Sequence, residues 1–114
     1  MAAPPDAQEG KSIIMPPLFS GKYYGWWKER MHDFLEGEDL KLWDIVEKGP
    51  NKPMMVNKKG ISTEPKPREK YSENDVKGVQ KNAKAKKILI CDFSLDEYNR
   101  ISACRNTKSI WDAL

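Results

Sequence analysis

Three of the four tryptophans fall between Phe19 and Gly49, in the stretch FSGKYYGWWKERMHDFLEGEDLKLWDIVEKG, together with two tyrosines and two phenylalanines. In a chain of 114 residues, 32% of them charged, that concentration of large apolar surface decides where a core can form. Tyr24, Trp27, Met31, Phe34 and Leu35 recur at the spacing of one α-helical stripe. Ser20 or a turn at Gly21 starts this helix, and Gly37 closes it. Glu38 and Asp39 then put negative charge at the start of a second helix, where it complements the backbone dipole. Leu42, Trp43, Ile45 and Val46 form the buried side of that helix, and Gly49-Pro50 ends it: the glycine accepts a left-handed cap and the proline cannot continue the turn.

The flanks look different. Residues 1–17 hold four of the eight prolines without periodicity and read as a flexible arm, so the domain spans 18–114. Residues 50–71 are rich in proline and lysine and read as a mobile, solvated loop. Only 75 residues then remain for the fold, near the lower limit at which a core alone gives comfortable stability. Help from a partner or from further sequence is expected.

Beyond the loop, Ser72 with Asp75 three residues later forms a capping box for a third helix. Val76, Val79, Ala83 and Ile90 share one face of it, with Ala85, Ile88 and Leu89 on the other, so this helix is expected at the centre of the fold. Ser94 and Glu97 make a second capping box, opening a short helix with Leu95, Tyr98 and Ile101 turned inward. Asn106 or Thr107 caps a last helix carrying Ile110, Trp111 and Leu114. The sequence stops inside that helix with no terminating cap, as a fragment would. No stretch alternates with period two, so the expected fold class is all-α, about five helices in a small orthogonal bundle.

Several function classes find no support. No apolar run approaches the roughly 18 residues of a membrane span, and the N-terminus lacks the pattern of a secretory signal, so cytosol or nucleus is the expected compartment. Cys91 and Cys104 are far apart and distant from the sole histidine, His32, which argues against a metal site. His32 has only Asp33 beside it, no nucleophile motif accompanies it, and no glycine-rich phosphate loop occurs. A non-enzyme without cofactor or small-molecule substrate is expected.

Charge is unevenly spread. Residues 1–47 carry five Lys/Arg against nine Asp/Glu, net −4, whereas 48–90 carry twelve against four, net +8. Such asymmetry suits either head-to-tail association of copies or a polyanionic partner. Within the basic part, Lys77, Lys81 and Lys84 share a helix face, either a solvated surface or a set of nonspecific RNA phosphate contacts. Tyr23, Trp26 and Arg30 lie off the main stripe of the first helix and combine the residue types that dominate protein interfaces, which makes them the candidate self-association face.

Order and spacing also carry a family resemblance. Gly21-x-x-Tyr24-x-x-Trp27-x-x-x-Met31-x-x-x-Leu35, followed by Leu42-Trp43-x-x-Val46-x-x-Gly49, resembles the start of the Gag polyprotein of plant copia-type LTR retrotransposons. The second half, NAKAKKILICDFSLDEYNRISACRNTKSIWDAL, is similar to a later segment of the same family. Tyr23, Lys86 and Asp92 depart from its usual residues. The resemblance implies a capsid N-terminal lobe whose motif core is Phe19, Gly21, Tyr24, Trp27, Met31, Leu35, Leu42, Trp43, Val46, Gly49, Ala85, Leu89, Ile101, Trp111 and Leu114. It implies self-assembly with other Gag copies into a virus-like particle around element RNA, the RNA being held mainly by a zinc knuckle further downstream. The other reading is a domesticated nucleic-acid-binding or adaptor domain that uses the basic 48–90 segment directly.

Overall fold

The first helix, α1, runs Tyr24–Glu38 and is entered through a single 3-10 turn at Gly21–Tyr23. Trp27, Met31 and Leu35 are its buried residues, the stripe that the spacing predicts. In the computed structural model, residues 17, 19, 21–91 and 93–114 are described. The expected arm therefore lies outside the described residues except for Pro17, which is buried and accepts a 3.2 Å hydrogen bond from Trp27 Nε1.

Gly37 does not end α1. The helix passes through it to Glu38, and Asp39 closes it by donating its backbone N–H to the Leu35 carbonyl. Asp39 also opens α2, Leu40–Lys48, its side chain accepting from the Lys41 N–H at 2.9 Å. One extended residue thus caps two helices, and no glycine conformation is needed at the corner. At the far end of α2 the sequence reading holds: Gly49 adopts φ 115°, a value open to glycine and strained for other residues, and Pro50 follows.

The loop expected over 50–71 is largely built. Strand β1, Met54–Val56, pairs antiparallel with β2, Thr63–Pro65, so among the described residues the chain is mostly helical, in keeping with the expected class, with a two-stranded pairing inside the loop. Three-residue strands are too short for an alternating pattern to register in the sequence. The turn between them is organised by Asn57, whose Oδ1 accepts from the N–H groups of Lys59 and Ile61 and whose Nδ2 donates to Ser62 Oγ, with Gly60 at φ 68°. A second 3-10 turn, Arg68–Lys70, leads into α3, Glu73–Ile90, which starts at the Ser72–Asp75 capping box.

Helix α3 faces the core with a stripe the sequence disguises. Ala85 and Leu89 are its buried residues, whereas Val76 and Ala83 on the opposite face are exposed. Continued towards the N-terminus, the buried stripe passes through Asn82 and Gly78. There it meets the chain leading into the hairpin: Asn51 Nδ2 donates to the Gly78 carbonyl at 2.9 Å, and the Asn82 amide bonds both the N–H and the C=O of Asn51. A methyl group at Gly78 would come within 3.2 Å of the Asn51 side chain, so the glycine makes room for this junction.

Helices α4, Leu95–Ile101, and α5, Thr107–Ala113, begin at Ser94 and Asn106 caps. On α4 only Ile101 is buried; Leu95 is 74% and Tyr98 46% exposed, contrary to the inward orientation expected for all three. Steps of three fall short of a helical turn by about 60°, so the first and third of these residues diverge by about 120°, and the orientation that buries Ile101 leaves Leu95 in solvent. On α5, Ile110 and Thr107 are buried. Helix α2, not α3, is the hub, packing on α1, α3 and α5.

Four aromatic rings meet at the centre. Phe19 stands edge-on to Trp27 at 4.9 Å, Phe93 packs on Phe19 at 4.5 Å, and Trp111 lies 6.0 Å from Trp27. Trp27 is 1% exposed, and its replacement removes both this ring and the bond to Pro17. Trp27→Ala is expected to cost about 3–5 kcal/mol, a large share of the stability of so small a domain, and to abolish a cooperative thermal transition above room temperature. An unaltered melting curve would show that the stripe does not carry the core.

Candidate interaction surfaces

The motif positions converge. Trp27, Met31, Leu35, Leu42, Val46, Ala85, Leu89 and Ile101 are all buried in one cluster, and Phe19, Trp43, Trp111 and Leu114 pack against it. Gly21 opens the entry turn and Gly49 closes α2. Tyr24 sits at the margin, its hydroxyl donating to the Leu114 carbonyl and accepting from Lys28 Nζ at 3.0 Å. Lys28 in turn lies 4.8 Å from the Trp111 ring centroid, a cation–π contact joining the first and last helices. Phe93 and Thr107 belong to this interior without having been marked by any periodic pattern.

Of the face expected to mediate self-association, Trp26 is partly buried and packs on the core cluster. Arg30 places its guanidinium 5.8 Å from the Trp26 ring centroid, and Tyr23 is half-buried with Lys22 over its ring. The three residues form a patch of mixed character, one edge serving the fold and the other facing solvent.

The lysine stripe divides. Lys81 Nζ lies 2.8 Å from Asp39 Oδ2, tying α3 to the α1–α2 corner, while Lys77 and Lys84 are exposed. Lys66 is likewise engaged, 2.6 Å from Asp75 Oδ2, which fixes the end of the hairpin to the first turn of α3. Both aspartates are held below the ordinary carboxylate value of 3.8: Asp39 by the Lys81 ammonium first and then by the Lys41 N–H, Asp75 by Lys66 first and then by the Ser72 N–H. Two of the lysines in the basic middle segment are thus used inside the fold and leave Lys77 and Lys84 as the exposed members of the predicted stripe.

Among the described residues the large exposed apolar side chains are Leu40 at the corner, Met54, Val56 and Ile61 on the hairpin, Val76 in the first turn of α3, and Leu95 and Tyr98 on α4. Between α3 and α4 an open groove of about 570 Å³ is lined by Ala83, Lys86, Lys87, Ile90, Cys91 and Tyr98. Among the described residues no cluster of three or more His, Cys, Asp or Glu side chains could hold a metal ion, and no helix is long and apolar enough to cross a membrane. His32 stacks on Trp43 with ring centroids 3.7 Å apart and reaches Glu36 at 2.8 Å.

Lys81→Met is expected to lower the melting temperature, and Lys77→Met and Lys84→Met to leave it nearly unchanged, because only Lys81 has a partner to lose. The pH dependence has a definite sign. A carboxyl whose pKa is depressed by folding contributes its full stabilisation above the unfolded value of 3.8 and loses it as pH falls through the folded value. The stability gap between the parent chain and Lys81→Met is therefore constant near neutral pH and closes in acid below that value. A gap that widens in acid would show that Asp39 is not the group involved.

Comparison with known proteins gives no match to a family model, to a curated protein or to a solved structure.

Proposed function

We propose that the chain is a structural self-assembly module, its helices forming the small orthogonal bundle of a Gag-like capsid N-terminal lobe that packs with copies of itself into a particle around element RNA. The observation that carries this reading is the convergence of the motif positions. Residues from two stretches more than thirty positions apart, Trp27 to Val46 and Ala85 to Trp111, meet in a single core cluster, so the spacing behind the resemblance coincides with the spacing that builds the fold. The half-exposed Tyr23, Trp26 and Arg30 patch is the contact proposed for assembly, since tyrosine, tryptophan and arginine contribute disproportionately to protein contacts.

The alternative, a domain that binds nucleic acid through its basic segment, is weakened by one observation. Lys81, the middle residue of the predicted phosphate stripe, is already neutralised by Asp39. Nonspecific charge remains at Lys77 and Lys84, and the proposal gives them a supporting role toward RNA.

Sedimentation velocity over a range of protein concentrations, at low and moderate salt, tests the reading. Weak association that persists at moderate salt and falls with Tyr23→Ala and Arg30→Ala is the expected result; these two are preferred to Trp26→Ala, which also disturbs the core. A chain that stays monomeric at every concentration, or one whose only interaction is RNA binding with a steep salt dependence, would reject assembly in favour of the alternative.

A further inference from the structure

The α1–α2 corner and the α3–α4 groove have opposite shapes and opposite charge. Leu40 is the first residue of α2, immediately after the residue that caps both helices, and it is 66% exposed. The capping bonds of Asp39 and its ion pair to Lys81 tie that corner to α3, so an exposed leucine stands at an anchored turn. Around it the chain sets Glu36, Glu38 and Asp44 against Lys41; Glu36 contacts His32, and Asp44 lies 3.9 Å from Lys48. With Lys48 and Lys81 counted beside Lys41, the corner is one apolar side chain with a small acidic excess.

The groove is the reverse. Ala83, Ile90 and Tyr98 give it an apolar floor, and Lys86 and Lys87 a basic rim, with the thiol of Cys91 at its edge. It is left open because Val76 and Ala83 on this face of α3 are exposed, Val79 and Ile90 are only partly buried, and α4 lines the groove through Tyr98. The other exposed apolar site, the hairpin, has Lys58 and Lys59 in its turn, the same sign as the groove rim, and is repelled from it. Charge complementarity leaves the corner.

We propose that Leu40 of one copy inserts into the α3–α4 groove of a second copy, with Glu38 and Asp44 of the first facing Lys86 and Lys87 of the second. The inference rests on the assembly reading above and supplies a second contact for it. Because the two surfaces differ, the contact is head-to-tail: each copy keeps one corner or one groove open, and the interaction repeats into a ring or a filament instead of closing as a symmetric dimer.

Cys91 provides a native reporter, being exposed and outside any disulfide. In a Cys104→Ser background, Leu40→Cys followed by air oxidation is expected to cross-link position 40 of one chain to Cys91 of another, giving a ladder of dimers and higher species on a non-reducing gel. Peptide mass mapping identifies the linked pair. In sedimentation, Leu40→Ser and the pair Lys86→Glu with Lys87→Glu are each expected to weaken association by about tenfold, and Glu38→Lys with Asp44→Lys added to the latter pair is expected to restore it. Far-UV circular dichroism confirms that each variant is folded. If copies associate but only 40–40 or 91–91 links form, or if Leu40→Ser changes nothing, this contact is wrong and the assembly reading stands. If the chain is monomeric throughout and yields no cross-link, both fall.

Discussion

Burying an indole gives its full stabilisation when the N–H finds a partner, and in this fold that requirement falls on Trp27. The ring fills the centre of the aromatic cluster, and leaving its N–H unpaired there would cost about 1–3 kcal/mol. The Pro17 carbonyl meets the need at 3.2 Å. Proline has no N–H of its own, so its carbonyl is offered without a donor beside it to be satisfied. The bond holds Pro17 beside the indole, Phe19 stands edge-on to it, and Phe93 and Trp111 lie against the same ring. Three parts of the chain that share no secondary structure are thereby fixed against one side chain.

Where the sequence was legible, it was so because the relevant physics is local. The stripe of α1, the buried side of α2, the Gly49 stop and the Ser72, Ser94 and Asn106 caps each depend on residues within a few positions of one another. The misreadings have a common origin too. Helix α3 carries apolar residues on two faces and was expected to be surrounded; only the Ala85 and Leu89 face is buried, and half of that stripe is Gly78 and Asn82, which receive the backbone of Asn51 rather than apolar side chains. Hydrophobic periodicity cannot register a contact made between amides. Phe93 escaped notice because it stands in a connection, where no period exists to mark it, and the end of α1 was placed at Gly37 because Asp39, expected only at the start of α2, also closes α1.

The candidate surfaces were only partly legible, for an electrostatic reason. Acidic front and basic middle suggest two complementary exteriors, yet part of that complementarity is satisfied inside the molecule by Asp39 with Lys81 and Asp75 with Lys66. A charge count sees totals and not pairings. Lys81 could not be separated from Lys77 and Lys84 without knowing that the α1–α2 corner lies beside it. The same holds for Leu40, which continues the apolar content of α2 in sequence but falls outside the arc of Leu42, Ile45 and Val46 in space.

The hydroxyl of Tyr24 and the carbonyl of Leu114 are joined across almost the whole described chain, and Trp27 meets Trp111 on the same side. A ribosome makes the first of these partners long before the second. Helix α1 leaves the exit tunnel before α5, so the Trp111 side of Trp27 and the Lys28–Trp111 contact wait on a later part of the chain. At synthesis rates of about 5–20 residues per second, the roughly 80 intervening residues leave the Trp111-facing side of Trp27 without that partner for several seconds, far longer than a helix needs to form. The nascent chain is therefore a natural client for chaperones that recognise aromatic segments. On a polysome, where copies emerge side by side, it is also sticky toward its neighbours before it is folded.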